Sequence, residues 1–172
     1  MVPFERDAPT IYLNFDGALH VGKALVEKSG QVVLDTARTL FEFAPLLGDL
    51  LEPYPRAQIV LTAAWLKFMQ TGEINGHLPS YLVRRIVTCS YYSPCDLLCV
   101  SGGTARPDEM IGHACSNAID TWLVLHDGTF AVPANNLEHF LLVQSTTGLG
   151  SLAARRRLQS WLWTYARGIS EK

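Results

Sequence analysis

The chain has 172 residues, of which 48% are hydrophobic and 17% charged, with a formal charge of -2. That length suits one domain over residues 1–172, able to bury roughly two thirds of its unfolded surface. The charge excludes a global pull towards nucleic acid and leaves Arg155-Arg156-Arg157 as the compact basic run, expected to be a solvated helix face, while a charged fraction below the roughly 25% usual for soluble domains leaves apolar surface for self-association.

Met1 to Pro9 reads as a loose lead-in without the basic start and apolar core of a signal peptide. No apolar run approaches the roughly 20 residues needed to span a bilayer, so a soluble, cytoplasmic protein with no membrane partner is expected. Thr10 to Leu13 makes a first strand that delivers Asn14-Phe15-Asp16-Gly17, two polar residues around a large apolar one with a glycine for a sharp exit. Gly22 to Val33 reads as a loop or hairpin. Asp35 is placed to cap a helix carrying Ala37, Leu40, Phe41 and Ala44, after which Pro45 kinks that helix or starts another, and Leu46, Leu47, Leu50 and Leu51 continue its apolar face. Pro53 and Pro55 end it.

Gln58 to Leu61 is a second buried strand, ending in Thr62-Ala63-Ala64-Trp65. A short helix and a polar loop through Asn75-Gly76 follow, then a short helix over Leu78 to Arg84 and a third strand over Arg85 to Cys89. Ser90 to Ala105 is an excursion too small to be a domain. Cys89, Cys95, Cys99 and Cys115 lack the paired spacing of zinc sites and are expected to be reduced, mostly buried thiols. Arg106 precedes Pro107, which suits the first turn of a helix reaching about Asn117 with Met110, Ile111 and Ala114 inward. Trp122 to Leu125 is the fourth strand, ending in His126-Asp127-Gly128, and Phe140 to Val143 is the fifth. Thr146-Thr147-Gly148 turns into a last helix in which Leu158, Trp161, Leu162 and Tyr165 form a stripe for the sheet, with Trp163 pointing elsewhere.

Continuous apolar strands alternating with helices predict a three-layer α/β/α, Rossmann-like domain with a mostly parallel sheet of about five strands. In such sheets ligands bind outside the carboxyl ends of the strands, where strand order reverses. Asn14 with Asp16, Thr62, and His126 with Asp127 stand at three such ends, and their convergence would make one site.

The order of these parts resembles the haloacid dehalogenase (HAD)-like superfamily over nearly the whole chain. It looks most like the small bacterial branch of RNA-repair-type phosphatase domains, which have a minimal cap. The resemblance rests on Asp16-Gly17-Ala18-Leu19-His20, Ile59 to Trp65, Arg106 to Ile111, Trp122 to Asp127, and Phe140 to Leu162. It implies that position 14 carries a nucleophile that takes up phosphorus as an acyl-phosphate, that Asp16 is the acid/base, that Thr62 supplies a hydroxyl and that Arg106 supplies a cation. Gly17, Thr62, Ala63 and Arg106 would then hold phosphate, and positions 14, 16, 126 and 127 would hold magnesium. The resemblance also places His20 near the site.

This sequence departs from the pattern at two of those places. Asn14 stands where the nucleophilic Asp belongs, and an amide is a far poorer nucleophile than a carboxylate. His126 replaces a magnesium-binding Asp and suits transition metals better. The preferred expectation is a weak or inactive phosphatase that binds a phosphate or a partner, with magnesium weak or absent. The alternative is an active magnesium-dependent phosphohydrolase acting on nucleic-acid ends or protein phosphates, with Asn14 an engineered nucleophile substitution. Excursions too short to close over the site predict an open mouth and a macromolecular phosphate.

Overall fold

The computed structural model describes residues 4–62, 64–67, 69–89, 107–128 and 130–166. Among them lie five strands of one parallel sheet: β1 (Thr10–Leu13), β4 (Gln58–Leu61), β5 (Ile86–Cys89), β6 (Trp122–His126) and β7 (Phe140–Leu142). Their spatial order is β5-β4-β1-β6-β7, so β1 is central and strand order reverses between β1 and β6. Leu13 pairs with Leu61 on one side and Leu125 on the other, which brings the three motif-bearing strand ends level.

Both sheet faces are covered, which is why the strands read as unbroken apolar runs rather than alternating ones. Ile11, Leu13, Ile59, Leu61, Leu123 and Leu125 point to one side, where they pack on α1 (Ala44–Leu51), α2 (Thr71–His77), α3 (Ser80–Val83) and α5 (Leu152–Ala166). Tyr12, Val60, Trp122, Val124 and Phe140 point to the other, against Met110 and Ala114 of α4 (Pro107–Ser116). The result is the three-layer α/β arrangement expected of the HAD/Rossmann-like class. A separate antiparallel hairpin, β2 (Ala24–Val26) with β3 (Val32–Leu34), accounts for the segment read as loop or hairpin.

Several local expectations are corrected. No helix runs from Asp35 to Ala44: Ala37 and Phe41 adopt positive φ of 53° and 56°, and α1 begins only at Ala44, with Pro45 in its first turn. The Asn75-Gly76 dipeptide lies inside α2 rather than in a loop. Gln70 N donates to Glu73 Oε2 at 2.7 Å, a reciprocal cap that starts a helix the turn-like dipeptide does not stop. Residues 4–9 are not loose, because Gln58 Nε2 donates to Glu5 O and Glu5 N donates to Gln58 Oε1. Leu158, Trp161 and Leu162 dock as expected, but Tyr165 is 43% exposed, with its ring 5.8 Å from that of Trp161. Cys115 is exposed and Cys89 half-buried, so burial does not protect both described thiols. The 90–105 excursion lies outside the described residues, and among those described no helix is long and apolar enough to cross a membrane.

One partly buried polar pair is expected to make stability depend on pH. The Tyr12 hydroxyl and His113 Nδ1 share a hydrogen bond at 2.8 Å that ties β1 to α4, and burial raises the Tyr12 pKa while lowering that of His113. A histidine with a lowered folded pKa contributes fully above its unfolded value of about 6.5 and loses that contribution as pH falls below it, because the unfolded chain takes up the proton first. The melting temperature is therefore expected to fall between about pH 7 and pH 5, and to fall less in His113→Gln. Parallel slopes for the two proteins would reject the assignment.

Candidate functional site

β1 ends between two neighbours that hold the next residue in place. Asn14 N donates to Leu125 O and Thr62 N to Leu13 O, both at 3.0 Å, so Asn14 and Thr62 continue the ladder as the chain leaves the sheet. Ala18 N and Leu19 N then both donate to Phe15 O, a tight turn that buries Phe15, Ala18 and Leu19 and leaves Asp16 partly accessible. Gly17 makes this turn with φ of +67°. The turn before α5 docks on it, with Leu149 N donating to Ala18 O.

The side chains at these ends meet. Asn14, 6% exposed, donates through Nδ2 to Asp16 O at 2.9 Å and to Asp127 Oδ1 at 3.0 Å, so the ends of β1 and β6 are joined across the reversal point. Asp16 Oδ1 accepts from Trp65 Nε1 at 2.9 Å and from Ala24 N at 3.3 Å, and lies 3.1 Å from His20 Nε2. A carboxylate oxygen accepts, so His20 carries its proton on Nε2; its Nδ1 is buried without a hydrogen-bond partner. Three donors converge on this one oxygen and fix the orientation of the Asp16 carboxylate. Among the described residues, Thr62 Oγ1 is likewise buried and unpartnered.

One ring nitrogen of His126 is already engaged within its own turn. Its Nδ1 accepts from Gly128 N at 2.7 Å, and although that nitrogen also lies 3.3 Å from Asp127 Oδ1, an atom accepting a backbone N–H has no proton to give the carboxylate. The contact is proximity within a tight turn, with Phe130 edge-on to the imidazole.

Asn14, Asp16, Gly17 and Asp127 thus form one contiguous group, with His126 beside it. Arg106 and Ala63 lie outside the described residues. Trp65 as a partner of Asp16 went unread in the sequence, because indole N–H bonding leaves no spacing signature beyond a tryptophan soon after Thr62. A cavity of about 510 Å³ lined by Asp49, Tyr81, Arg84 and Arg85 belongs to the opposite, amino end of the sheet. There Arg85 is already engaged with the carbonyls of Leu51, Tyr54 and Ala57.

Gly17 also sets how closely the two strand ends approach. A Cβ at this position would overlap the Asp127 carboxylate, and its φ disfavours any L side chain. Gly17→Ala is expected to lower stability by about 2–3 kcal/mol, combining backbone strain with displacement of Asp127. An unchanged urea midpoint would show that Asp127 moves aside freely.

No curated protein and no solved structure matches the chain. A family model does match, described as the HAD domain in Swiss Army Knife RNA repair proteins, and it covers residues 10–154, from the first residue of β1 into α5. With that span, the parallel sheet and the ordered strand-end motifs, the chain belongs to the family of HAD domains found in Swiss Army Knife RNA repair proteins.

Proposed function

We propose that this chain is a degenerate phosphotransfer domain that recognises the phosphorylated end of a nucleic acid and turns it over slowly or not at all. The observation that carries this is Asn14: the amide at the nucleophile position has its nitrogen bonded to Asp16 O and Asp127 Oδ1. An amide cannot form the acyl-phosphate that splits the reaction into two easier steps. Asp16 and Thr62 remain at their strand ends, and the Thr62 hydroxyl, buried without a partner, is suited to a ligand oxygen. Binding without turnover needs these two and not a nucleophile.

Magnesium, which the wider superfamily generally uses, does not fit the residues present. It demands near-octahedral oxygen ligands. Here an N–H group faces the Asp16 carbonyl and the Asp127 carboxylate, and the neighbouring His126 nitrogen accepts a backbone hydrogen bond. Among the described residues no three His, Cys, Asp or Glu side chains come together as a metal site.

Support for a nucleic-acid end comes from the family's description as a domain of RNA repair proteins. The test pairs two measurements on the unmodified protein. One is binding of a short RNA carrying or lacking a terminal phosphate across a salt series, and the other is turnover of a generic aryl phosphate with magnesium. The expected result is phosphate-dependent, salt-weakened binding with turnover near background. Strong magnesium-dependent turnover, or equal binding of both RNAs, would overturn the proposal.

A further inference from the structure

We propose that the Asn14 amide is a built-in replacement for a divalent cation, closing the junction of the β1 and β6 ends without metal. This rests on Asn14 being the chain's working residue at the nucleophile position, and it concerns what that residue does when no ligand is bound.

Two oxygens converge on one point: the Asp16 carbonyl and Asp127 Oδ1 lie 2.9 Å and 3.0 Å from Asn14 Nδ2. Left alone they would repel, and something positive must stand between them. A metal ion would serve, and so does an amide nitrogen, whose two hydrogens supply one donor to each acceptor. The orientation of the amide follows from its partners. A carbonyl never donates and an ionised carboxylate only accepts, so turning the amide over would place oxygen against oxygen on both sides.

Asp127 cannot easily retreat from this arrangement. Gly17 packs against its carboxylate so closely that a Cβ would overlap it. Asn14 is itself fixed by its backbone bond to Leu125. The carboxylate is therefore held between a glycine and an amide. Asp in place of Asn14 would face the same two oxygens with no hydrogen to offer, and would need a cation to stay there.

Thermal unfolding of the unmodified chain, Asn14→Asp and Asn14→Leu, each in chelator and in 10 mM magnesium as about ten times a millimolar Kd, separates the cases. The unmodified chain is expected to melt at the same temperature in both conditions. Asn14→Asp should melt roughly 5–10 °C lower in chelator and recover about half of that with magnesium. Asn14→Leu, which loses the donors without adding charge, should melt lower in both and ignore magnesium. If Asn14→Asp does not fold in chelator, calorimetric titration of the unmodified chain with magnesium decides, with no saturable heat expected. A magnesium-raised melting temperature or saturable binding in the unmodified chain would overturn the proposal. So would an Asn14→Asp protein that is equally stable in chelator. None of these readings depends on RNA binding or turnover, so failure here and failure of the proposed function are distinguishable.

Discussion

Replacing Trp65 by alanine is expected to destabilise the protein by about 3–5 kcal/mol, the range for emptying a buried aromatic site. Trp65 is fully buried, stands edge-on to Phe15 with ring centres 5.3 Å apart and lies against Phe41 at the same distance, so its loss opens a void beneath the turn carrying Asp16. Its second contribution is the hydrogen bond from Nε1 to Asp16 Oδ1. Trp65→Phe separates the two, keeping much of the ring volume while removing the donor, and should cost about 1–2 kcal/mol. Urea unfolding of both variants checks the pair. A loss below about 1 kcal/mol for the alanine variant would mean that the neighbouring rings collapse into the space, and that Trp65 is not the support of this turn.

The legibility of this fold followed burial. All four residues of β1 and of β4 are buried, and such runs can be recognised from composition alone. The helix expected over Asp35–Ala44 failed because spacing reports which side chains go inward, not which φ the backbone takes to send them there. Phe41 reaches the core from a positive φ, packed edge-on to Phe15, without a helix. Asn75-Gly76 misled in the opposite direction, since the Gln70–Glu73 cap outweighs a dipeptide that elsewhere makes a turn.

At the candidate site, residue types could be read in order along the chain, but their hydrogen-bond roles could not. That Asn14 and Asp127 come together follows from strand order. That the amide nitrogen faces the oxygens, and that His126 directs its Nδ1 to Gly128 N–H, depends on turns a few residues long whose geometry no periodicity encodes. The partners of His20 and His113 were hidden for the same reason. Asp16 and Tyr12 lie beside them in space, one four residues away and the other on a different layer.

On the proposed reading, in which Asn14 and His126 stand where carboxylates belong, substantial activity should return only when both are replaced. Asn14→Asp restores a nucleophile but places its charge opposite Asp127, with one metal ligand still an imidazole. About a tenfold rise in magnesium-dependent turnover of an aryl phosphate above background is expected from it alone. His126→Asp alone should add nothing measurable, because a metal without a nucleophile leaves the first chemical step unmade. The backbone can accommodate this second change, since a carboxylate oxygen can accept the Gly128 N–H that His126 Nδ1 now accepts, at the cost of the Phe130 ring contact. In the double variant nucleophile, Asp127 and the new carboxylate can share a cation, and a further rise of about 10–100-fold is expected, more than the product of the single effects. Magnesium titrations and steady-state rates of the four proteins decide the outcome. Full activity from Asn14→Asp alone would show that the imidazole is tolerated and that Asn14 is the sole lesion in a working phosphatase. Strong turnover by the unmodified chain would remove the basis for calling the site degenerate, because the amide would then have to be bypassed by water attacking with Asp16 as its base.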